Sequence, residues 1–533
     1  MGELIVKPEN KRISLEKGET LLSHLQSLGV NINAYCGGKG ECGACLVKVE
    51  HGMEYLSLIT DLEKRFVKKP GYRLACQAKT LREDVEIYVE IPRYAKYKIL
   101  ERGRKKTIPP NPMVRVEGFP GKKVYWLDRL LGEYEGELYG LALDIGTTTI
   151  SMYWVNLETG DETFVASMQN PQVRFGDNVI DRISYARMKG QEYLEKTVRE
   201  AVNELIRYGP VKPDHIYEMV AVGNSVMRDI FIGHSVEKLG EAPFKPLSEN
   251  SVNKTAKELG ININPEANVY ALPLIGHFVG ADALAVVLAT EMYKNSAVTM
   301  AIDIGTNTEI MVGNKNKIVA ASAASGPAFE GSGIKCGTGA ISGAIQKVEI
   351  GENLKVKYET IDQMPPIGIC GSGLIDALAQ MLDRKILDWT GKLTLSENRF
   401  VIAHGENKVF LDGEDVDKLK LAKAAIAVGI KVVMKHYGVT VDGIERLYLA
   451  GAFGTYIDPV NAIKIGMLPD IPPSKIERVG NAALEGARQA LISREKRREA
   501  EVVSKIIEHV RLELEKDFQD IFAEELCFPR YME

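Results

Sequence analysis

Four cysteines near the start of the chain have the residue type and spacing of a metal-binding site. Cys36, Cys42 and Cys45 lie in the segment AYCGGKGECGACLVKV, and Cys76 follows in RLACQA. Zinc sites commonly pair two Cys-x2-Cys knuckles, whereas here three thiols share one glycine-rich loop and the fourth comes from elsewhere. This favours a two-iron cluster, because glycines let the backbone wrap closely and point N–H groups at sulfur. A zinc site or disulfides built from the same cysteines is the alternative.

The segments around these cysteines predict a small mixed sheet over one helix. The strand patterns LIVK and RISL precede a helical ETLLSHLQSLG, and LVKVE and VEIYVEI follow the cysteine loop. Residues 1–92 resemble a 2Fe-2S ferredoxin domain of β-grasp fold. The five residues between the first two cysteines are similar to the adrenodoxin and putidaredoxin branch, since plant-type ferredoxins have four. The resemblance implies that all four cysteines hold the cluster.

A second chemical pattern occurs twice in the remaining chain. The segment ALDIGTTT at 142–149 and the segment AIDIGTNT at 301–308 share Ala-x-Asp-Ile-Gly-Thr-x-Thr. Each predicts a strand that ends in aspartate, a Gly-Thr turn and a second strand. Backbone N–H groups and threonine hydroxyls in such a turn can bind phosphate oxygens, and the aspartate can orient magnesium-bound water. The repeat predicts two related lobes that clamp a polyphosphate.

These hairpins resemble the phosphate-1 and phosphate-2 motifs of the actin, Hsp70 and sugar-kinase superfamily. The later segment LYLAGAFGTYID at 447–458 resembles the adenosine motif of the same superfamily, and no Walker-type Gly-x4-Gly-Lys-Ser/Thr occurs. The resemblance implies that residues 136–533 bind ATP with Mg²⁺ between two lobes. The positions that match the three motifs are Asp144, Gly146, Thr147, Thr148 and Thr149, then Asp303, Gly305, Thr306, Asn307 and Thr308, and finally Gly451 and Gly454.

Two further residues are candidates for this site. Asn224 lies in AVGNSVMRDIFIG, which resembles a connecting helix of the superfamily, and a hinge helix that only packs between lobes is the alternative. Glu330 lies in GPAFEG after the second phosphate loop, where a carboxylate could orient the attacking water. The predicted catalytic residues are therefore Asp144, Asp303 and Glu330.

The other three cysteines are best explained as compact buried side chains. Cys336 and Cys370 lie in the small-residue turns IKCGTGA and GICGSG, and Cys527 lies near the C-terminus. The alternative for the first two is a cluster shared between two subunits, as in the activator ATPases of 2-hydroxyacyl-CoA dehydratases. Their spacing does not decide between these roles, and it leaves a homodimer open.

The composition is that of an ordinary globular protein. The 533 residues are 45% apolar and 26% charged, and the net charge of -5 argues against a chain that mainly binds nucleic acid. The longest apolar stretch, from Phe278 to Thr290, is interrupted by Asp282 and is too short to span a bilayer. We expect no membrane segment and no export signal, and hence a cytoplasmic protein.

Residues 93–135 have the pattern of a linker. They begin with RYAKYKILERGRKK and continue with a proline-marked segment. A basic strip that docks an acidic partner is the alternative. The sequence thus predicts an α+β β-grasp ferredoxin domain, a linker and an α/β duplicated, two-lobe actin-like ATPase domain over residues 136–533.

Nearly the whole chain resembles the reductive activators of corrinoid enzymes. Three more segments carry this resemblance: NPQVRFGDNVIDRISYA at 170–186, FVGADALA at 278–285 and PIGICGSGLIDAL at 366–378. It implies an ATP-hydrolysing iron–sulfur protein that passes an electron to a corrinoid protein and returns inactive Co(II) to Co(I). No Gly-x-Gly-x-x-Gly follows a strand, so we expect the electron donor to be another low-potential protein.

Other functions fit the same motifs. The chain could be an ATP-driven electron donor to a radical dehydratase or an acyl-CoA reductase. It could also be a small-molecule kinase, or a redox-sensing scaffold, with a fused ferredoxin domain.

Overall fold

The computed structural model describes the chain except residues 1, 8–10, 29, 31, 33–39, 41–44, 68–69, 91–102, 119–120, 406–407 and 531–533. The chain divides into two compact units. The ferredoxin unit contains residues 1–96 together with 171–185, and the ATPase unit contains residues 97–170 and 186–533.

The ferredoxin unit has a mixed sheet with one helix packed on its face. Its elements are β1 (Glu3–Lys7), β2 (Lys11–Ser14), α1 (Leu21–Ser27), β3 (Leu46–His51), α2 (Asp61–Phe66), β4 (Tyr72–Leu74) and β5 (Glu86–Glu90). The strand order is β2-β1-β5-β3-β4, in which β1 and β5 are parallel and the other pairs are antiparallel. Alternate residues such as Val6 and Val89 are buried against Leu21 and Leu25 of α1. This arrangement confirms the predicted sheet over a helix.

Residues 114–133, which the sequence assigned to a linker, form a small antiparallel sheet in the ATPase unit. Its strands are β6 (Val114–Glu117), β7 (Lys123–Trp126) and β8 (Arg129–Glu133). Val114, Val124 and Leu131 are buried in a core of that unit. Each strand is short and buries one residue, so the alternation of apolar and polar residues is weak. Prolines and charges dominate the sequence of this segment, and for this reason it was predicted as a linker.

The ATPase unit is built on two sheets of the same design. The strands of the first lobe are β9 (Tyr139–Ile145), β10 (Thr149–Asn156), β11 (Glu162–Gln169), β12 (Ile216–Gly223), β13 (Val252–Thr255) and β14 (Asn268–Ala271). Those of the second lobe are β15 (Thr299–Ile304), β16 (Thr308–Gly313), β17 (Ile318–Ala323), β18 (Ala344–Ile350), β19 (Val356–Thr360), β20 (Gly368–Ile369), β21 (Arg399–Ala403), β22 (Val409–Asp412), β23 (Arg446–Ala450), β24 (Ile476–Gly480) and β25 (Ile507–His509).

Five strands of the two sheets follow one order, and the sixth lies at a different edge in each, with β13 beside β14 and β25 beside β17. The first sheet runs β11-β10-β9-β12-β14-β13, and the second runs β24-β23-β15-β16-β17-β25. The first strands in the chain, β9 and β15, form antiparallel hairpins with β10 and β16. They also pair in parallel with β12 and β23. In both, the third strand is antiparallel to the second. This shared topology confirms the predicted duplication and places the two Asp-Ile-Gly-Thr turns at equivalent ends of equivalent strands.

The described residues also form a set of helices along the chain. Beyond α1 and α2 they are α3 (Val179–Lys189), α4 (Glu192–Tyr208), α5 (Ser225–Ile232), α6 (Ala256–Leu259), α7 (Ala281–Thr290), α8 (Gly371–Asp383), α9 (Gly413–Tyr437), α10 (Gly451–Gly454), α11 (Pro459–Lys464), α12 (Ala482–Ile492), α13 (Arg494–Ile506) and α14 (Phe518–Glu525).

Helices α7 and α12 form the centre of the ATPase unit. Helix α7 is apolar on nearly every face, α12 is buried along its whole length, and α12 packs on α7, β9 and β12. A Cβ added at Gly486 would lie 2.1 Å from the Ala285 carbonyl oxygen, so glycine lets the two helices approach. Within the described ranges, we find no helix with both the length and the apolar character needed to cross a bilayer.

Candidate functional site

The two phosphate hairpins have the tight turns that their sequences predict. In the first, the Gly146 N–H donates to the Thr149 carbonyl oxygen at 2.8 Å, and a Cβ on Gly146 would lie 2.6 Å from that oxygen. In the second, the Gly305 N–H donates to the Asn307 carbonyl oxygen at 3.2 Å. Each turn directly follows a strand whose last residues include the motif aspartate.

The tips of the two hairpins meet at Glu330. The hydroxyls of Thr148 and Thr306 lie 2.9 Å apart. Thr306 Oγ1 donates to Glu330 Oε1 at 2.9 Å, and Thr148 Oγ1 donates to Glu330 Oε2 at 3.2 Å. One carboxylate therefore connects the hairpins of both lobes.

The other motif hydroxyls are held by their own lobes. Asn224 caps α5 by accepting the Met227 N–H at 3.0 Å, and its Nδ2 donates to Thr147 Oγ1 at 3.0 Å. The amide therefore occupies an acceptor position of this hydroxyl and ties the first hairpin to α5. Thr308 is fully buried, and its hydroxyl lies 2.9 Å from Ser325 Oγ, so it braces the second turn.

Four carboxylates around the hairpins are near enough to one another to interact electrostatically. Asp144 and Asp303 were predicted, but Asp282 of α7 and Glu309 of β16 were not assigned to the site. The register of the second hairpin pairs Asp303 with Glu309. The only sequence signal for Asp282 is a single charge in an otherwise apolar helix. Glu309 has no such signal. It follows the second motif on β16, and its contacts depend on which elements pack beside that strand.

Burial and mutual repulsion raise the pKa values of these carboxyls. Burial raises the pKa of Asp144 to about 6, although a hydrogen bond from Asn481 opposes the shift. Burial and the charge of Asp144 raise the pKa of Asp282 to about 7, and burial with both neighbouring charges raises that of Asp303 to about 8. Burial and two neighbouring aspartates also hold the pKa of Glu309 well above its ordinary value. Such a cluster is stabilised by a cation.

The aspartates of the two hairpins are the residues that could hold a cation. Among the described residues, no group of three His, Cys, Asp or Glu side chains is close enough to chelate an ion directly. Magnesium gives up its water reluctantly and usually binds through one or two carboxylates and substrate phosphates. Asp144 and Asp303, one from each hairpin, are therefore the candidate carboxylates.

Asn481 is a site residue that the sequence analysis missed. It caps α12 by accepting the Leu484 N–H at 2.8 Å, and its Nδ2 donates to Asp144 Oδ2 at 3.1 Å. An asparagine before an apolar helix predicts a cap, but its contact with Asp144 depends on how α12 packs on β9.

The adenosine motif approaches the second aspartate closely. Gly451 has a φ of +86°, and a Cβ there would lie 2.5 Å from Asp303 Oδ1. Phe453 in the same motif stacks on Phe329, with ring centroids 5.8 Å apart, and thereby contacts the segment that carries Glu330. Gly454 has ordinary spacing, with 3.8 Å to its nearest neighbour, so close approach requires glycine only at Gly451.

Two of the four predicted cluster ligands lie side by side in the ferredoxin unit. Cys45 precedes β3 and Cys76 follows β4, and the Ala75 N–H donates to the Cys45 carbonyl oxygen at 2.8 Å. Both side chains are buried. Cys36 and Cys42 lie outside the described residues.

The surroundings of Cys76 fit an iron–sulfur cluster. Gln77 Nε2 lies 3.6 Å from Cys76 Sγ, so an N–H group is directed at the sulfur. Gly40 has a φ of +77°, and a Cβ there would lie 2.8 Å from Gln77 Nε2. Gly40, one glycine of the cysteine segment, therefore lies close to Gln77, the residue that follows Cys76.

Cys336 and Cys370 of the ATPase unit each lie against a backbone carbonyl oxygen. Cys370 is buried, and its Sγ lies 3.3 Å from the Ile345 carbonyl oxygen. Cys336 Sγ lies 3.6 Å from the Lys408 carbonyl oxygen. Burial raises the pKa of both thiols, which disfavours the thiolate form that binds iron.

Comparison with known proteins identifies the family. Residues 4–81 match the model of the 2Fe-2S iron–sulfur cluster binding domain, residues 139–295 that of the RACo middle region, and residues 297–533 that of the C-terminal ASKHA domain of RACo. The chain is 31% identical over 592 residues to the corrinoid activation enzyme RamQ of Eubacterium limosum, with 96% of each chain covered. The chain belongs to the corrinoid activation family.

Other members of the corrinoid activation family extend this result. The [Co(II) methylated amine-specific corrinoid protein] reductase of Methanosarcina barkeri is 26% identical over 425 residues, which cover 73% of this chain and 77% of the relative. A solved structure of a reductive activator for corrinoid, iron–sulfur protein matches with a TM-score of 0.74 at 30% identity, and it covers 99% of this chain and 98% of its own. Membership confirms the predicted fold class, a ferredoxin domain followed by an ASKHA domain. The predicted domain limits remain predictions.

Proposed function

We propose that this protein is an ATP-dependent reductive activator, which transfers an electron from its 2Fe-2S cluster to a corrinoid protein and returns inactive Co(II) to Co(I). The observation that carries the proposal is the combination, on one chain of this family, of the buried Cys45 and Cys76 with duplicated hairpins that meet at Glu330. A second, low-potential protein supplies the electron.

The ATPase unit would bind ATP through the two hairpins. The turns at Gly146 and Gly305 present backbone N–H groups, and Thr147, Thr148 and Thr306 present hydroxyls to phosphate oxygens. Asp144 and Asp303 would hold Mg²⁺ through water, and Glu330 would orient the water that attacks the terminal phosphate. Asn224 and Asn481 act as positioning residues, because each caps a helix and bonds to a motif side chain.

The ferredoxin unit would hold the cluster through Cys36, Cys42, Cys45 and Cys76. When bound, such a cluster stores one electron at a low potential. The Gln77 amide beside Cys76 favours additional negative charge at the sulfur. Burial of Cys45 and Cys76 keeps water away from the site.

ATP is needed because the proposed reduction is unfavourable. Each additional 59 mV demanded of one electron costs about 1.4 kcal/mol. Hydrolysis can supply this energy only if the nucleotide states treat the acceptor differently. The hydrogen bonds among Thr148, Thr306 and Glu330 connect the two lobes. A phosphate bound to these hydroxyls would compete with those hydrogen bonds and would therefore change how the lobes close.

The proposal is tested by mixing the reduced chain, Mg²⁺–ATP and a purified Co(II) corrinoid protein. We expect the Co(I) absorption band to rise only when ATP is present and can be hydrolysed. A non-hydrolysable ATP analogue is the matched control. If no corrinoid protein of the source organism shows an ATP-dependent rise, the proposal is wrong.

Binding of Mg²⁺–ATP should strengthen as the pH rises from 6 to 8. The raised pKa values of Asp144, Asp282 and Asp303 mean that these groups bind protons in this range, and a bound cation must displace the protons. We expect an increase in affinity of at least about tenfold across the range, with little change above pH 8. Calorimetry in two buffers of different ionisation enthalpy should record proton release at pH 7. An affinity that does not change between pH 6 and 8 would contradict this explanation.

Replacing Glu330 by alanine should lower ATP hydrolysis by about 100-fold without weakening nucleotide binding. Hydrolysis should slow because Glu330 would orient the attacking water. Binding should not weaken because the substitution removes a negative charge beside the bound phosphates. Phosphate release measures the rate, and titration with a fluorescent ATP analogue measures the affinity. Glu352→Ala, at an exposed position, is the control. An unchanged hydrolysis rate would leave Glu330 with a structural role only.

A further inference from the structure

The two phosphate hairpins differ in the length of their turns. In the first hairpin the last paired residues are Ile145 and Ile150, which leaves four residues between them. In the second hairpin the last paired residues are Ile304 and Thr308, which leaves three. Because side chains alternate between the two faces of a strand, this one-residue difference places different positions of the motif beside the two aspartates.

Different residue types therefore stand opposite the two motif aspartates. Asp144 of β9 pairs with Ser151 of β10, whereas Asp303 of β15 pairs with Glu309 of β16. Glu309 is the sixth residue after its aspartate, and the sixth residue after Asp144 is Ile150, which is fully buried. The second hairpin thus has a carboxylate at the register position where the first hairpin has a hydroxyl.

The third strand of each sheet holds these two side chains in place. In the first sheet, Ser151 pairs with Ser167 of β11, and Ser167 Oγ donates to Ser151 Oγ at 2.9 Å. In the second sheet, Glu309 pairs with Ser322 of β17, and Ser322 Oγ donates to Glu309 Oε1 at 3.1 Å. Residues that pair directly across strands share one face of the sheet, so Glu309 is held on the same face as Asp303.

The carboxylate of Glu309 is not needed to form the hairpin. The first hairpin has the same strand pairing with Ser151 at this position. Glu309 is only 7% exposed, and Asp303 and Asp282 of α7 are close enough to interact with it electrostatically. A carboxylate buried beside other carboxylates costs free energy unless a positive charge compensates it. Its presence on the second lobe alone therefore indicates a role in the nucleotide site.

We propose that Glu309 is a positioning residue for the cation that accompanies the bound nucleotide, and that the second lobe holds this cation more strongly than the first. This inference rests on the proposed function, in which the hairpins bind Mg²⁺–ATP. Magnesium binds through one or two carboxylates together with phosphate oxygens, and groups around its direct ligands strongly affect its affinity. Asp303 and Glu309 supply two carboxylates on one lobe. Asp144 stands beside a serine and already accepts a hydrogen bond from Asn481.

The test measures the binding of Mn²⁺ to the full chain. Mn²⁺ prefers the same oxygen ligands as Mg²⁺, and electron paramagnetic resonance measures its free concentration. The wild type is compared with Glu309→Gln, which keeps the shape and an acceptor for Ser322 but removes the charge, and with Glu309→Ser, which copies the first hairpin. Glu359→Gln, whose parent side chain on β19 is 65% exposed, is the matched control. Each protein is titrated with Mn²⁺ in the presence of a non-hydrolysable ATP analogue, and with the analogue alone in EDTA.

We expect both Glu309 variants to bind Mn²⁺ in the presence of the analogue roughly 10- to 100-fold more weakly than the wild type. Their affinity for the metal-free analogue should equal or exceed that of the wild type, because each substitution removes a negative charge near the phosphates. Thermal unfolding should be cooperative for both variants, and the control should equal the wild type in every measurement.

The Glu309→Gln variant decides between a role of the charge and a role in packing. If it binds Mn²⁺ as tightly as the wild type, the inference is overturned, and a loss confined to Glu309→Ser reflects altered packing. If it loses affinity for the metal-free analogue as strongly as for Mn²⁺, the side chain supports the hairpin itself, and the inference is overturned as well.

A second comparison tests the difference between the lobes. Asp303→Asn should lose more Mn²⁺ affinity than Asp144→Asn, and an equal or smaller loss would overturn the assignment of the cation to the second lobe. None of these measurements requires a corrinoid protein. If they give the expected results but the wild type forms no Co(I), the role of Glu309 stands and the proposed function fails.

Discussion

Replacing Asp303 by asparagine should abolish ATP-dependent Co(I) formation and lower ATP hydrolysis by at least about 100-fold. Asp303 ends β15, contacts the adenosine motif at Gly451 and carries one of the charges that would hold magnesium. Asparagine has nearly the same shape but no charge, so it removes the electrostatic contribution and keeps the packing. Phosphate release and the Co(I) absorption band are the two measurements, and the iron–sulfur spectrum should not change.

The same variant should be more stable than the wild type at pH 8. In the folded chain the pKa of Asp303 is raised to about 8 from an ordinary value of 3.8. The folded state therefore binds more protons than the unfolded state between these values, and the wild type loses stability as the pH rises from about 4 to about 8. We expect the variant to gain on the order of 2 kcal/mol at pH 8 and nothing below pH 4.

Thermal unfolding at both pH values measures this difference. Asp128→Asn, at a fully exposed position, should change neither stability nor activity. If Asp303→Asn were less stable than the wild type at pH 8, its loss of activity would reflect a damaged fold, and the assignment of Asp303 to the magnesium site would lose its support.

Replacing Cys76 by serine should have the complementary effect. A serine hydroxyl stays protonated where a thiol can bind iron as the thiolate, so we expect loss of the visible iron–sulfur absorption and of all Co(I) formation. Basal ATP hydrolysis should stay within about twofold of the wild type, because the ferredoxin and ATPase units have separate hydrophobic cores. Iron and sulfide analysis, the visible spectrum and phosphate release test the three parts of this prediction.

Cys370→Ala is the matched control for Cys76→Ser. Cys370 packs against Ile345 and Ser372, so the smaller side chain should leave the iron content and Co(I) formation unchanged. If Cys370→Ala lost all reducing activity while the iron–sulfur spectrum of the ferredoxin unit was intact, the chain would instead resemble the ATP-driven donors whose cluster is shared by the ATPase subunits.

Local motifs were enough to predict both kinds of chemistry. The cysteine spacing depends on one loop and one strand end, and the Asp-Ile-Gly-Thr turn is closed by hydrogen bonds within a few residues. The repetition of this turn at Asp144 and Asp303 also predicted the duplicated sheets, because a strand, a turn and a strand of the same pattern form the same hairpin twice. Geometry that is local in the chain can be predicted from local sequence.

The tertiary structure alone decided which distant groups share the site. Asp282, Glu309 and Asn481 reach the phosphate aspartates only because α7, β16 and α12 pack around β9 and β15, and no pattern near these residues predicts that contact. The ion pair of Arg73 and Glu63 and the sheet of β6, β7 and β8 were also missed, for the same reason. The sequence determines the groups that can do the chemistry. Their proximity depends on strand order and helix packing, which are properties of the whole fold and of contacts between residues far apart in the chain.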